Sequence, residues 1–289
     1  MGEYSLVAVV ESLNLAAVRE IARLGPSGID KRPAAHPARI SADGVEGDSV
    51  LNRRHHGGPD KAAYAYAGED ADWWGAALSR TVPPGAFGEN LTTRGIDVTH
   101  AVVGSRWRVG TALLEVAQPR IPCNVFRTFW DLPDLIKRFT AAGRPGGYLR
   151  VVEPGRVQTG DGITVLDVPA HGVTLNEVFR AVNGDVLAIP HVLQAAELPA
   201  QMRARLRDRL ARVQLLQSAA LLVTPAPDGR PDRHHEAERR EQARQVEPQR
   251  TVVRPEEVRQ DVDGDERQAE HEQCHAESKR AGHGSKYPL

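Results

Sequence analysis

The positions of the aromatic residues limit where this chain can build a core. All four tryptophans and all five phenylalanines lie at or before Phe179, and Tyr287 is the only aromatic residue beyond it. Aromatic side chains bury large areas and dominate the energetics of cores. The main core must therefore form within about the first 180 of the 289 residues.

The last part of the chain has a different composition. From about Thr224 onward it consists mainly of Arg, Glu, Gln, Asp, His and Pro, with almost no large apolar residues. Such a segment cannot bury enough apolar surface to offset the entropy that is lost on ordering. We therefore predict a disordered tail over residues 218–289. An alternative is that this stretch is not selected for structure at all.

The overall charge and the apolar pattern exclude some classes of partner. The formal net charge is −1, so the chain lacks the global basic footprint of a protein that binds nucleic acid or anionic membrane. No segment approaches the roughly 20 apolar residues that span a bilayer. We expect neither nucleic acid nor membrane as a partner.

The N-terminus and the cysteines indicate the compartment. Residues 1–4 carry no basic region followed by a long apolar stretch, so we expect no signal peptide. Of the two cysteines, Cys123 lies in the core region and Cys274 in the polar tail, which makes a disulfide between them unexpected. The chain is therefore predicted to be cytoplasmic and reduced.

Short strands separated by turns dominate the region from residue 105 to residue 168. The predicted strands are Ser105–Val109, Ala112–Ala117, Tyr148–Val152 and Ile163–Val168. Strands of this length and spacing are typical of a small barrel or sandwich. One helix interrupts them, with Asp131 as its expected cap and Gly143 at its end.

After Asp167 the pattern changes to helices. Thr174 and Glu177 have the spacing of a capping box, a second short helix is predicted over Asp185–Ala196, and a third from Pro199 to about Gln217. We therefore predict a mainly β domain over residues 1–170 and a three-helix appendage over residues 171–217.

Four clusters contain residues that could carry chemistry. They are Gly28-Ile29-Asp30-Lys31-Arg32-Pro33, then Gly47-Asp48 with Arg53-Arg54-His55-His56-Gly57-Gly58-Pro59-Asp60-Lys61, then Phe87-Gly88-Glu89-Asn90-Leu91, and finally Gln118-Pro119-Arg120-Ile121-Pro122-Cys123.

The second cluster combines flexible backbone with positive charge. Gly57 and Gly58 allow the backbone to approach a ligand closely, and Arg53 and Lys61 can meet an anionic group such as phosphate. If the two histidines at 55 and 56 lie on a strand, they point to opposite faces and cannot bind one metal together. A hairpin with a hydrogen-bonded histidine is an equally good interpretation of the composition.

The third and fourth clusters each have a simpler structural interpretation. For the third, we favour on spacing alone a turn in which Asn90 caps backbone groups. In the fourth, two prolines hold the chain extended before Cys123, and Arg120 nearby favours a partly ionised thiol. A thiolate can act as nucleophile, persulfide carrier or soft metal ligand. A lone cysteine is more often a small buried apolar residue, and taken alone Cys123 fits that interpretation better.

Taken together, the clusters resemble the hallmark runs of the MOSC domain family, the C-terminal domain of molybdenum-cofactor sulfurases. The resemblance is greatest to the stand-alone bacterial branch that reduces hydroxylaminopurine, and it covers about residues 1–212. The runs that carry it are Lys31-Arg32-Pro33, Gly44-Val45-Glu46-Gly47-Asp48, His55-His56-Gly57-Gly58-Pro59-Asp60-Lys61-Ala62, Phe87-Gly88-Glu89-Asn90-Leu91, Gln118-Pro119-Arg120-Ile121-Pro122-Cys123 and Gly147-Tyr148-Leu149-Arg150-Val151.

The resemblance implies a fold and a set of site residues. The implied fold is mainly β with some α: a closed β-barrel of the pyruvate-kinase insert type, followed by the small helical module. Cys123 is implied as the catalytic residue and as the ligand of molybdenum in a pyranopterin cofactor. The residues implied to bind that cofactor are Lys31, Arg53, His55, His56, Gly57, Gly58, Lys61, Gly88, Glu89, Asn90 and Arg120.

The resemblance also implies partners. The chain has no pyridoxal-phosphate desulfurase domain and no multi-cysteine cluster for iron and sulfur. A reductase would thus need an external electron-donor protein, and a sulfur-handling protein would need a separate desulfurase. The leading hypothesis is an oxidoreductase that acts on N-hydroxylated small molecules. The alternatives are a persulfide carrier and a non-enzymatic cofactor carrier; the oligomeric state is left open.

Overall fold

A computed structural model describes residues 8–51 and 53–223, without the side chains of Arg54, His55 and residues 219–223. The chain divides into one compact unit that ends at Val213 and a second that begins at Gln214. The predicted disordered tail lies outside the described residues from position 224 onward. The domain boundaries near residues 170 and 217 stay predictions.

The described part alternates short strands with short helices. The strands are β1 (Val9–Leu15), β2 (Arg19–Ile21), β3 (Gly25–Ser27), β4 (Arg32–Pro33), β5 (Ala38–Ser41), β6 (Gly44–Val45), β7 (Ala63–Ala67), β8 (Leu91–Arg94), β9 (Arg106–Val109), β10 (Ala112–Pro119), β11 (Gly147–Glu153), β12 (Gly155–Val157) and β13 (Ile163–Asp167). The α-helices are α1 (Arg53–His56), α2 (Gly68–Leu78), α3 (Asn124–Phe129), α4 (Leu135–Ala142), α5 (Leu175–Val182), α6 (Ile189–Val192) and α7 (Ala200–Val223). Single 3-10 turns lie at Pro59–Lys61 and Val186–Ala188.

The strands form open sheets. The main sheet has eight strands in the order β13-β9-β10-β11-β7-β8-β1-β4, and two small sheets have the orders β12-β5-β6 and β2-β3. Within the described residues the end strands β13 and β4 do not pair, and a single isolated bridge between Val9 and Gly162 joins β1 to the residue before β13. The predicted mainly β fold with a closed barrel is therefore wrong. The fold is mixed α/β with open sheets.

A parallel strand pair explains part of this difference. β7 and β8 are parallel, with Ala65 opposite Leu91, whereas the other pairs in the main sheet are antiparallel. Parallel neighbours cannot be joined by a tight hairpin and need a crossover, which helix α2 and the loop after it provide. The sequence pattern of short strands separated by turns does not reveal such a crossover.

β7 separates two hydrophobic cores because alternate residues of a strand point to opposite faces. Ala63, Ala65 and Ala67 face a core made by the main sheet together with α5, α6 and the first half of α7. Tyr64 and Tyr66 face an aromatic core that is completed by α2, α3 and α4. Both faces of this strand are thus buried, and its five residues position two layers of the molecule.

The aromatic core fixes the place of α3. Phe87 stacks on Tyr66 with ring centroids 4.0 Å apart and lies 4.8 Å from Trp130. Phe126 of α3 contacts both Phe87 and Trp130. The helix is therefore anchored by ring contacts on its inner face, and the residue that precedes it has a defined position.

Local signals at helix ends were identified with mixed success. Thr174 and Glu177 form the capping box that their spacing predicted, and Gly143 ends α4 in a left-handed conformation, as predicted. The assignment of Asp131 as helix cap is wrong, because α4 begins after Asp134 and Asp131 itself has φ of 48°.

No helix in the described part combines the length and apolarity needed to cross a bilayer.

Two adjacent tryptophans allow a matched test of the aromatic core. Trp74 is 2% exposed, whereas Trp73 is 41% exposed and stacks with Arg144. We expect Trp74→Ala to lower the free energy of unfolding by about 3–5 kcal/mol, because it leaves a cavity. Trp73→Ala should cost about 1 kcal/mol, the value of a cation–π contact. Urea unfolding of both variants measures the difference, and equal losses would contradict this account of the core.

Candidate functional site

Cys123 lies between the end of a central strand and a helix. β10 ends at Pro119, and Cys123 is the residue immediately before α3, with extended backbone at φ −129°. The thiol is free and partly exposed, while the ring contacts of α3 hold the backbone beside it. The fold thus presents one sulfur at an accessible, fixed position.

His56 is a titratable neighbour of this sulfur. Its Nε2 lies 3.9 Å from the Sγ of Cys123. His56 ends α1, so the two histidines lie on a helical turn and not on a strand. The side chain of His55 is outside the described residues.

Arg120 supplies a buried positive charge next to the thiol. It is 5% exposed, donates from Nη1 to the carbonyl of Phe87 over 2.8 Å, and stacks on Phe126 at 3.8 Å. No carboxylate in the described part of the chain pairs with it. Burial disfavours the charged form, but the influence of Tyr64, Tyr148 and Cys123 is greater and raises the pKa of Arg120. The guanidinium therefore stays charged.

Lys61 and Tyr148 form another side of the site. The Nζ of Lys61 lies 5.7 Å from the centroid of the Tyr148 ring, and this ring is 5.1 Å from that of Tyr64. Burial raises the pKa of Tyr148, while Arg120 lowers it and Cys123 raises it. Neither Tyr64 nor Tyr148 was predicted from the sequence to be a site residue. The sequence shows the alternation of tyrosine and alanine at residues 64–66 and the run from Gly147, but neither pattern indicates which face of its strand lies toward Cys123.

Lys31 and Asn90 belong to a buried network behind this site. Lys31, which is 8% exposed, forms an ion pair with Asp48. Asn90 donates to the same Asp48 carboxylate over 2.9 Å and accepts from the backbone N–H of Tyr64 over 3.2 Å. Burial lowers the pKa of Lys31 against the opposing effect of Asp48. Asn90 thus bonds backbone groups of Tyr64 and Asn14, which are 26 and 76 residues away, and not the groups of a local turn.

Glu89 organises the loop that accepts the hydrogen bond of Arg120. Its carboxylate accepts from the N–H groups of Gly85 at 2.6 Å and Phe87 at 3.0 Å, and from Thr92 Oγ1 at 2.8 Å. Burial raises the pKa of Glu89, and these donors oppose that shift. Gly88 has φ of 74°, a left-handed conformation that suits glycine. These groups set the direction of the Phe87 carbonyl.

The remaining predicted residues lie around α1. Arg53 is exposed and donates to the carbonyl of Asp43 over 2.9 Å. A Cβ on Gly57 would lie 2.9 Å from the carbonyl oxygen of Arg53, and Gly58 has φ of 94°. The tight turn after α1 therefore needs both glycines.

The predicted residues thus fall into three groups. His56, Lys61, Arg120 and Cys123 are brought together with Tyr148. Lys31, Glu89 and Asn90 make internal contacts behind the Phe87 loop. Arg53 is turned toward Asp43.

Two other features lie apart from these residues. A cavity of about 440 Å³ is lined by Glu69, Asp70, Asp97, His100 and Arg144 among others, and none of the predicted site residues lines it. In the part of the chain that the structure describes, no group of three or more His, Cys, Asp and Glu side chains could hold a metal ion. We take the neighbourhood of Cys123 as the candidate site because a free, partly exposed thiol and the permanent positive charge of Arg120 meet there.

Comparisons with known proteins agree with the resemblance. The MOSC domain model matches residues 52–164. The uncharacterized protein YflK of Bacillus subtilis (strain 168) is 33% identical over 214 residues, which are 71% of this chain and 97% of YflK. A protein named reductase from Gibberella moniliformis (strain M3125 / FGSC 7600) is 30% identical over 181 residues, or 60% of this chain, but only 31% of that longer protein.

A solved structure has the same fold. The crystal structure of YiiM from Geobacillus stearothermophilus superposes with a TM-score of 0.58 at 29% sequence identity, covering 70% of this chain and 99% of that one. The match extends well beyond residues 52–164, and the chain covers nearly all of YflK and of this YiiM. This chain therefore belongs to the MOSC domain family.

Proposed function

We propose that this protein binds a molybdenum–pyranopterin cofactor through Cys123 and reduces N-hydroxylated small molecules to amines. The observation that carries the proposal is the partly exposed thiol of Cys123, 3.9 Å from Nε2 of His56 and influenced by the charge of Arg120. Membership of the MOSC family and the reductase name of one distant relative support it.

The residues present fit such a cofactor. A thiolate is a soft ligand that suits a heavy transition metal, and one protein thiolate is sufficient when an organic cofactor brings the other ligands. Arg120 offers a charged, planar guanidinium, and Lys61 offers a second cation. Both groups recognise phosphate. The phosphate of the pterin would therefore be held by these side chains while Cys123 ligates the metal.

The reaction needs two electrons and two protons. The N–O bond breaks, the nitrogen becomes that of an amine, and the oxygen leaves as water. The bound cofactor supplies the redox chemistry, and a separate donor protein supplies the electrons. Among this chain's own groups, the imidazole of His56 places Nε2 close to the sulfur, and the Tyr148 ring closes one side of the site. We place this chemistry in the cytoplasm, where thiols stay reduced.

The network behind the site has a positioning role in this proposal. Glu89 fixes the loop at Phe87, and the carbonyl of Phe87 accepts the hydrogen bond that orients Arg120. Asn90, the next residue of this loop, donates to Asp48, and the same carboxylate pairs with Lys31. These three residues act through Arg120 rather than by touching the cofactor.

A second candidate function is sulfur transfer. The partly exposed thiol of Cys123 can attack the persulfide of a separate desulfurase, so that the outer sulfur moves to Cys123 and the thiolate of the desulfurase leaves. His56 and Arg120 lie near the sulfur in this reaction as well. A protein that only carries the cofactor would use the same contacts without turnover.

The metal content of purified protein tests the leading proposal. We expect Cys123→Ala to lose at least nine tenths of the molybdenum found in the wild-type chain, because removing a metal ligand costs at least as much as the roughly 10–100-fold loss on removing its supporting residues. Cys274→Ala removes the other cysteine and should retain the metal. Molybdenum is measured by elemental analysis after identical purification.

Three results of this test have different meanings. Equal molybdenum in the two variants would exclude Cys123 as its ligand. Molybdenum that depends on Cys123, together with reduction of an N-hydroxylated base by a chemical electron donor, would support the reductase. The same metal content without any turnover would favour the carrier.

Alkylation measures the link between His56 and Cys123. In a Cys274→Ala background only one cysteine can react with iodoacetamide. We expect His56→Gln to slow alkylation at neutral pH about fivefold, since it removes a contact worth about 1 kcal/mol. His100→Gln changes an exposed histidine paired with Asp97 and should leave the rate unchanged. An unchanged rate in His56→Gln would contradict the role given to this contact.

Mass spectrometry tests the sulfur carrier. After incubation with a cysteine desulfurase and free cysteine, a carrier should gain one sulfur on the peptide that contains Cys123, and the gain should vanish on reduction. The peptide with Cys274 serves as the internal control. Absence of the adduct on Cys123, while the desulfurase itself carries persulfide, would exclude this function.

A further inference from the structure

Arg150 lies at a junction between the candidate site and the helices that follow the sheet. It lies on β11, and its guanidinium makes hydrogen bonds in three directions. Nε and Nη2 donate to Asp60 Oδ1 at 2.9 and 2.6 Å, and Nη1 donates to Glu115 Oε1 at 2.6 Å. Nη1 and Nη2 each donate to the carbonyl of Glu197 at 3.1 Å. All five N–H donors of an arginine are thus engaged.

The strand geometry directs Arg150 at the loop that carries Lys61. Residues two apart on a strand share a face, so Tyr148 and Arg150 project from the same side of β11. They meet consecutive residues of the 3-10 turn, with Tyr148 against Lys61 and Arg150 against Asp60. A third contact comes from Gln118 on β10, which donates to the carbonyl of Asp60 over 3.5 Å.

This turn needs external support. It follows two glycines, and the second of them, Gly58, has φ of 94°. Glycine leaves the backbone many conformations that other residues exclude. The contacts from β11 therefore select one position of the turn, and with it the position of Lys61.

The Glu197 carbonyl extends the junction to the helical segment. Glu197 lies in the loop between α6 and α7, and its side chain contacts Nε2 of His171 at 3.2 Å. The Nδ1 of His171 accepts from the backbone N–H of Val173 over 3.0 Å. The same short loop is therefore fixed to the chain before α5 by its side chain and to Arg150 by its backbone.

We infer that Arg150 is a positioning residue, which holds the Pro59–Lys61 turn in place for an anionic ligand and joins this turn to the helical segment through Glu197. The inference rests on the proposed function, because it takes the ligand to be the anionic part of a cofactor at Cys123. Asp60 is the neighbour of Lys61 in the chain. Without Arg150, the Asp60 carboxylate would lose its ion-pair partner and would repel an anion bound at Lys61.

Phosphate protection of Cys123 tests this inference without the cofactor. The full chain with Cys274→Ala is alkylated at Cys123 in rising concentrations of inorganic phosphate, and the concentration that halves the rate is determined. We expect Arg150→Lys, which keeps the charge but cannot make five hydrogen bonds, to raise this concentration about tenfold, in the range seen for residues that orient ligand groups. Asp60→Asn should raise it as well, and the double variant should be no worse than the poorer single variant.

Two controls separate positioning from general stability. Arg108→Lys alters an arginine that pairs with Glu153, a carboxylate at the end of β11, and it should leave phosphate protection unchanged. Ile189→Val removes a methyl group from the buried face of α6, and it should lower the unfolding midpoint without changing protection. Equal protection in Arg150→Lys and the parent chain would overturn the inference. So would a loss in Ile189→Val as large as that in Arg150→Lys, or no protection of the parent chain by phosphate.

The outcome is independent of the metal assay. If Cys123→Ala keeps its molybdenum while phosphate protection depends on Arg150, the proposed ligation fails but the positioning role stands. If the molybdenum content depends on Cys123 while phosphate protection does not depend on Arg150, the proposed function stands and this inference fails.

Discussion

Phe87 stacks on Tyr66 and contacts the tilted ring of Trp130, and these contacts hold together the parts of the molecule on which the site depends. Aromatic pairs contribute about 0.5–1.5 kcal/mol each beyond the area they bury, and here several pairs share one ring. The side chain of Phe87 anchors α3 through Phe126, and its backbone carbonyl receives Arg120. One residue therefore fixes both the helix that begins after Cys123 and the cation beside it.

Local structure could be predicted from the sequence, whereas strand order could not. The capping box at Thr174 and the glycine end of α4 depend on residues within one helical turn, and both were predicted. The closed barrel was wrong because the end strands β13 and β4 do not pair within the described residues, and the parallel pairing of β7 with β8 depends on a crossover through α2. Alternating apolar residues predict a strand, but they do not specify its neighbour.

The same distinction applies to the site. Cys123, His56, Lys61 and Arg120 were selected by motif, and they lie around one place in the structure. Tyr148 was not selected, because only the register of β11 shows which face meets the turn. Lys31, Glu89 and Asn90 were expected to bind a ligand, yet the contacts found for them are internal. Their predicted role in binding a cofactor stays a prediction.

The buried charge of Arg120 has a thermodynamic consequence. A guanidinium that is kept from water, with a carbonyl, aromatic rings and a thiol around it but no carboxylate among the described residues, costs solvation free energy that the rest of the fold must offset. If the anionic cofactor of the proposed function binds there, it would return part of that cost. Folding and ligand binding would then be linked equilibria, and a higher concentration of the ligand would raise the folded fraction.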